Sequence, residues 1–245
     1  MKKKSLLSLF LALLLCFSSF TCFGQSEKTG KVTIEKHNEI TDMNILMKRA
    51  KEGIDESRNK SKFHLMDNSK AVTTNIETNE KVELDTVSTT QLLEISVENG
   101  ITTTSYATTT ATLSREDSGS STGGDVGASS TIYWNEYTIS SGGQQVAAVK
   151  LIKAIGRWYI YQSGVVLSNL LVQGLQQGWR SPEGSVVDSL YHVPATYTSV
   201  TQTYTFSPIE EDALWCMLSF NMTCNWQRGT GSKYPFEFIN CQKFV

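Results

Sequence analysis

STIYWNEYTISSGGQQVAAVKLIKAIGRWYIYQSGVVLSNLLVQGLQQGW, residues 130–179, is the stretch whose reading decides the fold. It carries three of the five tryptophans and the longest apolar runs outside the N-terminus, divided by Ser/Gly turn signals. Thr131 to Ile139 reads as a strand, Ser140-Ser141-Gly142-Gly143 as a turn and Gln144 to Ile155 as a second strand. In that second strand Val146, Ala148 and Ile152 fall on one face and Ala147, Val149 and Leu151 on the other. Apolar residues on both faces predict a strand covered on both sides, central or between stacked sheets. Gly156 punctuates the run before Trp158 to Tyr161, and Ser163-Gly164 turns the chain into Val165 to Val172, again apolar on both faces.

Upstream, Leu92 to Glu98, Asn99-Gly100 and Ile101 to Leu113 predict a hairpin, because Asn-Gly suits a tight turn. The second strand of that hairpin is rich in threonine. Membrane-inserting hairpins of β-barrel pores alternate polar and apolar residues, and the polar triplets 102–104 and 108–110 break that alternation. A solvated edge hairpin is the expectation instead. Ser118 to Ser130 (SGSSTGGDVGASS) predicts a flexible loop.

Downstream, the polar loop 181–189 (SPEGSVVDS) leads to Tyr197 to Phe206, where Val200, Tyr204 and Phe206 share one face. In Leu214 to Cys224 the even positions are apolar, and in Tyr234 to Ile239 the even Tyr234, Phe236 and Phe238 are the apolar ones. Paired through Arg228-Gly229-Thr230-Gly231, the two strands put these even faces on one side of the sheet. Cys241, being odd, points away from Cys216 and Cys224. Those two stand eight residues apart on one strand, roughly 27 Å, far beyond disulfide reach. No intramolecular disulfide follows, although a bulge near Ile239 would reverse the direction of Cys241.

The N-terminus reads as an address. Lys2, Lys3 and Lys4 precede an apolar run from Leu6 to Phe17, and small residues flank Phe20 to Gly24, the layout of a secretory signal peptide cut after Gly24. Neither Cys16 nor Cys22 follows a small residue, which argues against a lipid anchor. Three of the 22 basic residues and none of the 24 acidic ones lie in residues 1–24, so the remaining 221 residues carry a net charge of −5. Such a chain has no clustered basic footprint for nucleic acid or anionic membrane. No later segment approaches the ~20 apolar residues of a stable membrane span.

Between residues 25 and 90 lies an extension. Ile40, Met43, Leu46, Met47, Ala50 and Ile54 recur at helical spacing, predicting an amphipathic helix over 40–57 with Thr41 or Asp42 as its cap. Residues 58–90 are polar, and read as a poorly ordered linker with one or two short strands. The fold class is therefore mainly β: an antiparallel β-sandwich-like domain over 91–245 behind a helical, partly disordered N-terminal extension.

Chemistry-bearing residues are scattered. Only His192 of His37, His64 and His192 shares the β domain with the thiols, and Cys216 and Cys224 read as small core hydrophobes. Asp188 and His192 sit four apart without a helix to align them, Glu210-Glu211-Asp212 reads as a solvated turn, and Asn221-Met222-Thr223 is a glycosylation sequon inside a strand. Gly123-Gly124 and Gly142-Gly143 lie in Ser-rich turns rather than at a phosphate-cradling strand-to-helix junction. No cofactor, metal site or catalytic pair emerges. Aromatics are the enriched feature with a use: Trp134, Trp158, Tyr161 and Trp179, with Tyr159, form a candidate platform for stacking on sugar rings. Trp158 and Tyr159 point to opposite faces, so at least one is buried or in contact with something else, and the core is the favoured place for these aromatics over a platform.

Ile132-Tyr133, Val149-Lys150-Leu151 with Lys153, Gly156 and Trp158, then Ser168-Asn169 and Arg228-Gly229 form a cadence of strands and turns. In it the segment 130–245 resembles a group of uncharacterised secreted β-rich proteins of Gram-positive Firmicutes. The resemblance implies a secreted, β-sandwich-like fold and carries over no activity or site; the three cysteines depart from it. The expected role is a secreted, extracellular or cell-surface module without catalysis. Its partner would be an unidentified protein or a cell-surface glycan. The alternatives are a carbohydrate- or cell-wall-binding module and a membrane-active, pore-forming protein.

Overall fold

The computed structural model describes residues 30–57, 61, 65–113, 125–141, 144–210 and 216–245. The leader expected at 1–24, His64, Glu211, Asp212, Leu214 and most of the serine-rich loop lie outside them. In chain order the elements are β1 (Val32–Lys36), α1 (Met43–Lys51), β2 (Leu65–Asp67), β3 (Lys70–Thr74), β4 (Lys81–Leu84) and β5 (Thr86–Glu98). There follow β6 (Ile101–Thr112), β7 (Val126–Ser141), β8 (Gln144–Ile160), β9 (Val165–Arg180) and β10 (Gly184–His192). Last come β11 (Val200–Thr203), β12 (Ile209–Glu210), β13 (Cys216–Arg228) and β14 (Lys233–Phe244).

These strands form one curled sheet in the order β1-β5-β6-β7-β8-β12-β9-β13-β14-β3-β4, with β10 beside β9, β11 beside β8 and β2 beside β14. Neighbours run antiparallel, so the mainly β, antiparallel expectation holds. The curl folds the sheet over itself into two layers, β5 to β8 against β9, β13 and β14. Side chains tie them together: Asn240 Nδ2 on β14 donates to the carbonyls of Thr108 (3.2 Å) and Ser130 (3.1 Å). The Trp134 and Phe244 rings meet edge-on at 5.0 Å, and Phe220 and Met222 press on Gly156. The core between the layers holds Ile132, Trp134, Leu151, Trp158, Leu218, Phe220, Met222, Phe236 and Phe238.

The hairpin at Asn99-Gly100 forms as expected, with both residues left-handed (φ 51° and 77°). The last two strands also follow the alternation: Met222 faces Phe238 and Cys224 faces Phe236 across the ladder, and the odd Cys241 faces Ser219. All three cysteines are buried.

Other expectations are corrected. The extension is part of the sheet: β1 pairs with β5, β3 with β14, β4 with β3, and β5 begins at Thr86, so a boundary at 90/91 would cut a strand. The helix is shorter than 40–57. Asp42 caps its start by accepting from Asn44 N at 2.8 Å, and left-handed Gly53 follows its end. Beyond it the chain docks on β5, with Glu56 N donating to Thr90 O and the Glu56 carboxylate accepting from Leu92 N at 2.7 Å.

Strand β6 is not a solvated edge, because β7 pairs with its far side and Thr108, Thr109 and Thr110 are buried. Their hydroxyls satisfy one another across strands, Thr90 with Thr108 at 3.1 Å, Thr109 with Thr131 at 2.8 Å and Ser88 with Thr110 at 2.6 Å. That pairing lets a polar sequence sit inside a sheet. Residues 126–130, expected in a loop, open β7. Gly156 does not interrupt β8; a Cβ there would stand 2.7 Å from Phe220 and Met222, so the glycine is the space into which the other layer packs. Strand β9 runs past Val172 to Arg180, and Gly184–Ser189, expected in a loop, lies in β10.

Candidate binding face

Along β9 the even residues Val172, Gly174, Gln176 and Gly178 are buried, which turns Gln173, Leu175, Gln177 and Trp179 to the outer face. On one side β10 sets Ser185 opposite Trp179, Val187 opposite Gln177, Ser189 opposite Leu175 and Tyr191 opposite Gln173. On the other, β13 sets Met217, Ser219 and Asn221 opposite Gln177, Leu175 and Gln173. The amide of Asn221 donates to Gln173 Oε1 at 3.5 Å. Trp179, Val187 and Tyr191 are exposed on this face. Six residues of strand separate Ser185, beside Trp179, from Tyr191, so the two aromatic rings stand about 20 Å apart with amides and hydroxyls between them.

Trp179 is held from beneath. Gln176 is fully buried; its Oε1 accepts from Leu151 N at 3.2 Å and its Nε2 donates to Asp188 at 3.0 Å and to the Ser207 carbonyl. Arg180 donates to Asp188, to Glu183 at 3.0 Å and to the carbonyls of Ser207 (2.9 Å) and Pro208 (3.1 Å). Burial works against the Arg180 charge, but the bonds to Asp188 and Glu183 outweigh it and hold the guanidinium above its ordinary value. Glu210, expected in a solvated turn, is buried in β12, opposite both Trp179 and Ala148, and accepts from Ser181 N at 3.1 Å. This network fixes the 181–184 turn and the 207–210 segment around the strand that carries the indole.

Past Gln173 the same face descends into a groove of about 600 Å³, bordered by Asn169, Asn225, Glu237, Lys70, Lys81 and Glu83. Its floor is made by Leu171, Thr223, Pro235 and Val72.

The aromatic platform expected from the sequence does not assemble. Trp134 and Trp158 are 0% and 1% exposed and cannot meet a ligand. Trp134 is stacked on Tyr106 at 4.3 Å and donates to Thr108 Oγ1 at 3.0 Å. Tyr161 is 37% exposed but sits just beyond β8, packed on Gly127 and parallel to Tyr159 at 6.2 Å. Trp179 reaches β8 through Glu210 and Ala148, thirteen residues from Tyr161, roughly 40 Å at strand rise. Of the four, Trp179, 42% exposed, is the one on the open face described above. Tyr191, Gln173 and Gln177 carry no motif in the sequence, and Asn221 enters there only as part of a glycosylation sequon. The alternation of Gln173, Leu175, Gln177 and Trp179 against Gly174 and Gly178 was the available signal.

The face can stack on a flat apolar ring surface and exchange hydrogen bonds through uncharged side chains. The thiols are placed otherwise: burial pushes Cys224 up to about 12 and Cys241 up to about 11, so both stay protonated inside the sheet. His192 is exposed on β10, and His37 pairs with Glu35 at 2.7 Å near β1. Among the described residues no three His, Cys, Asp or Glu side chains gather as a metal site, and no helix is long and apolar enough to cross a membrane. Comparison with known protein families, curated proteins and solved structures returns no match.

Proposed function

We propose that this protein is an exported, non-catalytic module that binds a cell-surface glycan along the outer face of β9, β10 and β13. The observation that carries the reading is the exposed indole of Trp179 on a sheet face shared with Tyr191, the polar Gln173, Gln177, Ser185, Ser189 and Asn221, and the apolar Leu175, Val187 and Met217. An extended polysaccharide presents alternating apolar ring faces and hydroxyls, which suits aromatic rings about 20 Å apart with amides between them. Export is supported by the Lys2–Lys4 and Leu6–Phe17 pattern.

The test is retention of the purified protein on insoluble polysaccharides and isolated Gram-positive cell wall, against an unrelated protein of similar charge. Saturable retention supports the reading, and failure to bind any of these materials refutes it.

A further inference from the structure

The groove at the far end of this face holds four charges that engage none of the ion pairs among the described residues. Glu237 on β14 and Glu83 on β4 flank Val72 on β3 in one cross-strand row, which sets the two carboxylates about 10 Å apart at sheet spacing. Lys70 lies two residues before Val72, on one side of that row, and Lys81, opposite Thr74, lies on the other. Each lysine is therefore about 7 Å along the strands from the row, a diagonal step at which long side chains can meet. Yet among the described residues the ion pairs are made elsewhere, as by Lys31, His37, Lys48, Arg49 and Arg180.

The backbone opens the site further. Between Leu171–Thr223 and Ser168–Asn225 the ladder of β9 and β13 slips, with Asn169 left-handed at φ 53°, and Asn169 and Asn225 both border the groove. Donors and acceptors of both signs thus line a concavity within the 300–1,000 Å³ range usual for small-molecule sites.

We propose that this groove recognises a glycan that carries both carboxylate and ammonium groups. The inference rests on the glycan-binding reading and names the chemical class. A ligand of one sign would meet as much repulsion as attraction from two lysines and two glutamates. A neutral chain would meet the four charges with hydroxyl hydrogen bonds alone, whereas a zwitterionic one adds ion pairs to both sets.

Titration calorimetry with four soluble probes tests this: N-acetylchitohexaose (neutral), chitosan oligomer (cationic), oligogalacturonate (anionic) and N-carboxymethyl chitosan oligomer (both charges). The zwitterionic probe should bind roughly tenfold more tightly than the neutral one, since several modest surface pairs add. That advantage should shrink as salt is raised. Lys70→Gln with Lys81→Gln, and separately Glu83→Gln with Glu237→Gln, should each remove it while leaving the neutral hexamer's affinity unchanged. Equal affinity for neutral and zwitterionic probes, or an advantage that survives both double variants, overturns the inference alone. Binding of no probe at all overturns the glycan reading with it.

Discussion

The indole of Trp179 rests on Gly184, the first residue of β10: its outer edge comes within 3.7 Å of where a Cβ would stand on that glycine. Gly184 is left-handed (φ 88°), so the turn that begins β10 also makes the shelf for the ring. Because the ring is half exposed, Trp179→Ala should change stability by less than about 1 kcal/mol while weakening retention on polysaccharide by about tenfold or more. Trp158→Ala, in the core, should cost about 3–5 kcal/mol. Urea melts of the two variants separate the roles; equal destabilisation would place Trp179 in the core.

Glycines inside strands are contact points between the layers. A Cβ on Gly174 would stand 2.1 Å from the Tyr204 ring, and on Gly156 2.7 Å from Phe220 and Met222. Gly174→Ala and Gly156→Ala should each destabilise by about 1–3 kcal/mol through overpacking, whereas Gly30→Ala, with open space around it, should not. A Gly174→Ala protein that melts like the parent would contradict this packing.

The same glycines show why parts of the fold were hidden in the sequence. Val146 to Leu151 and the even residues of β13 announced a two-sided core directly, because burial there is carried by apolar side chains. Gly156 reads as a break, since a strand glycine that admits a neighbour's ring looks locally like one that ends a strand. The threonines of β6 read as solvated because their burial depends on hydroxyl partners on β5 and β7, far away in sequence. Strands β2 to β4 carry mixed polar residues and lie within 58–90, which reads as a poorly ordered linker with one or two short strands. For the binding face, Trp179 was legible as a rare large aromatic. Tyr191 and the groove charges were not, because only the registers of β9, β10, β14 and β3 bring them together.

Asn240 joins the layers through its two hydrogen bonds to Thr108 and Ser130. Asn240→Ala should lower stability by about 1–3 kcal/mol, the cost of leaving buried groups without partners. Asn240→Asp should cost more, since a carboxylate would face two carbonyls. Denaturant melts check the order; Asn240→Asp at least as stable as Asn240→Ala would contradict it.

Alkaline pH should weaken the fold. Burial raises the thiols of Cys224 and Cys241 to about 12 and about 11, and lifts the phenols of Tyr106, Tyr137 and Tyr204 above their ordinary value. The folded state holds these protons more tightly than the unfolded chain does. Their contribution is therefore complete below about pH 8.5, where unfolded thiols are protonated, and is lost as pH climbs toward the folded values. Melting temperature should be level from neutrality to that point and fall above it. A melting temperature still level at pH 11 would contradict this burial.

The most direct measurement is a depletion isotherm of the parent, Trp179→Ala and Tyr191→Ala on isolated cell wall and insoluble polysaccharides, with folding of each variant verified by circular dichroism. The parent should bind saturably, and Trp179→Ala should weaken binding by about tenfold or more, the loss expected from one stacked ring. Tyr191→Ala should fall between the two. A Trp179→Ala isotherm that overlays the parent's would contradict the binding face.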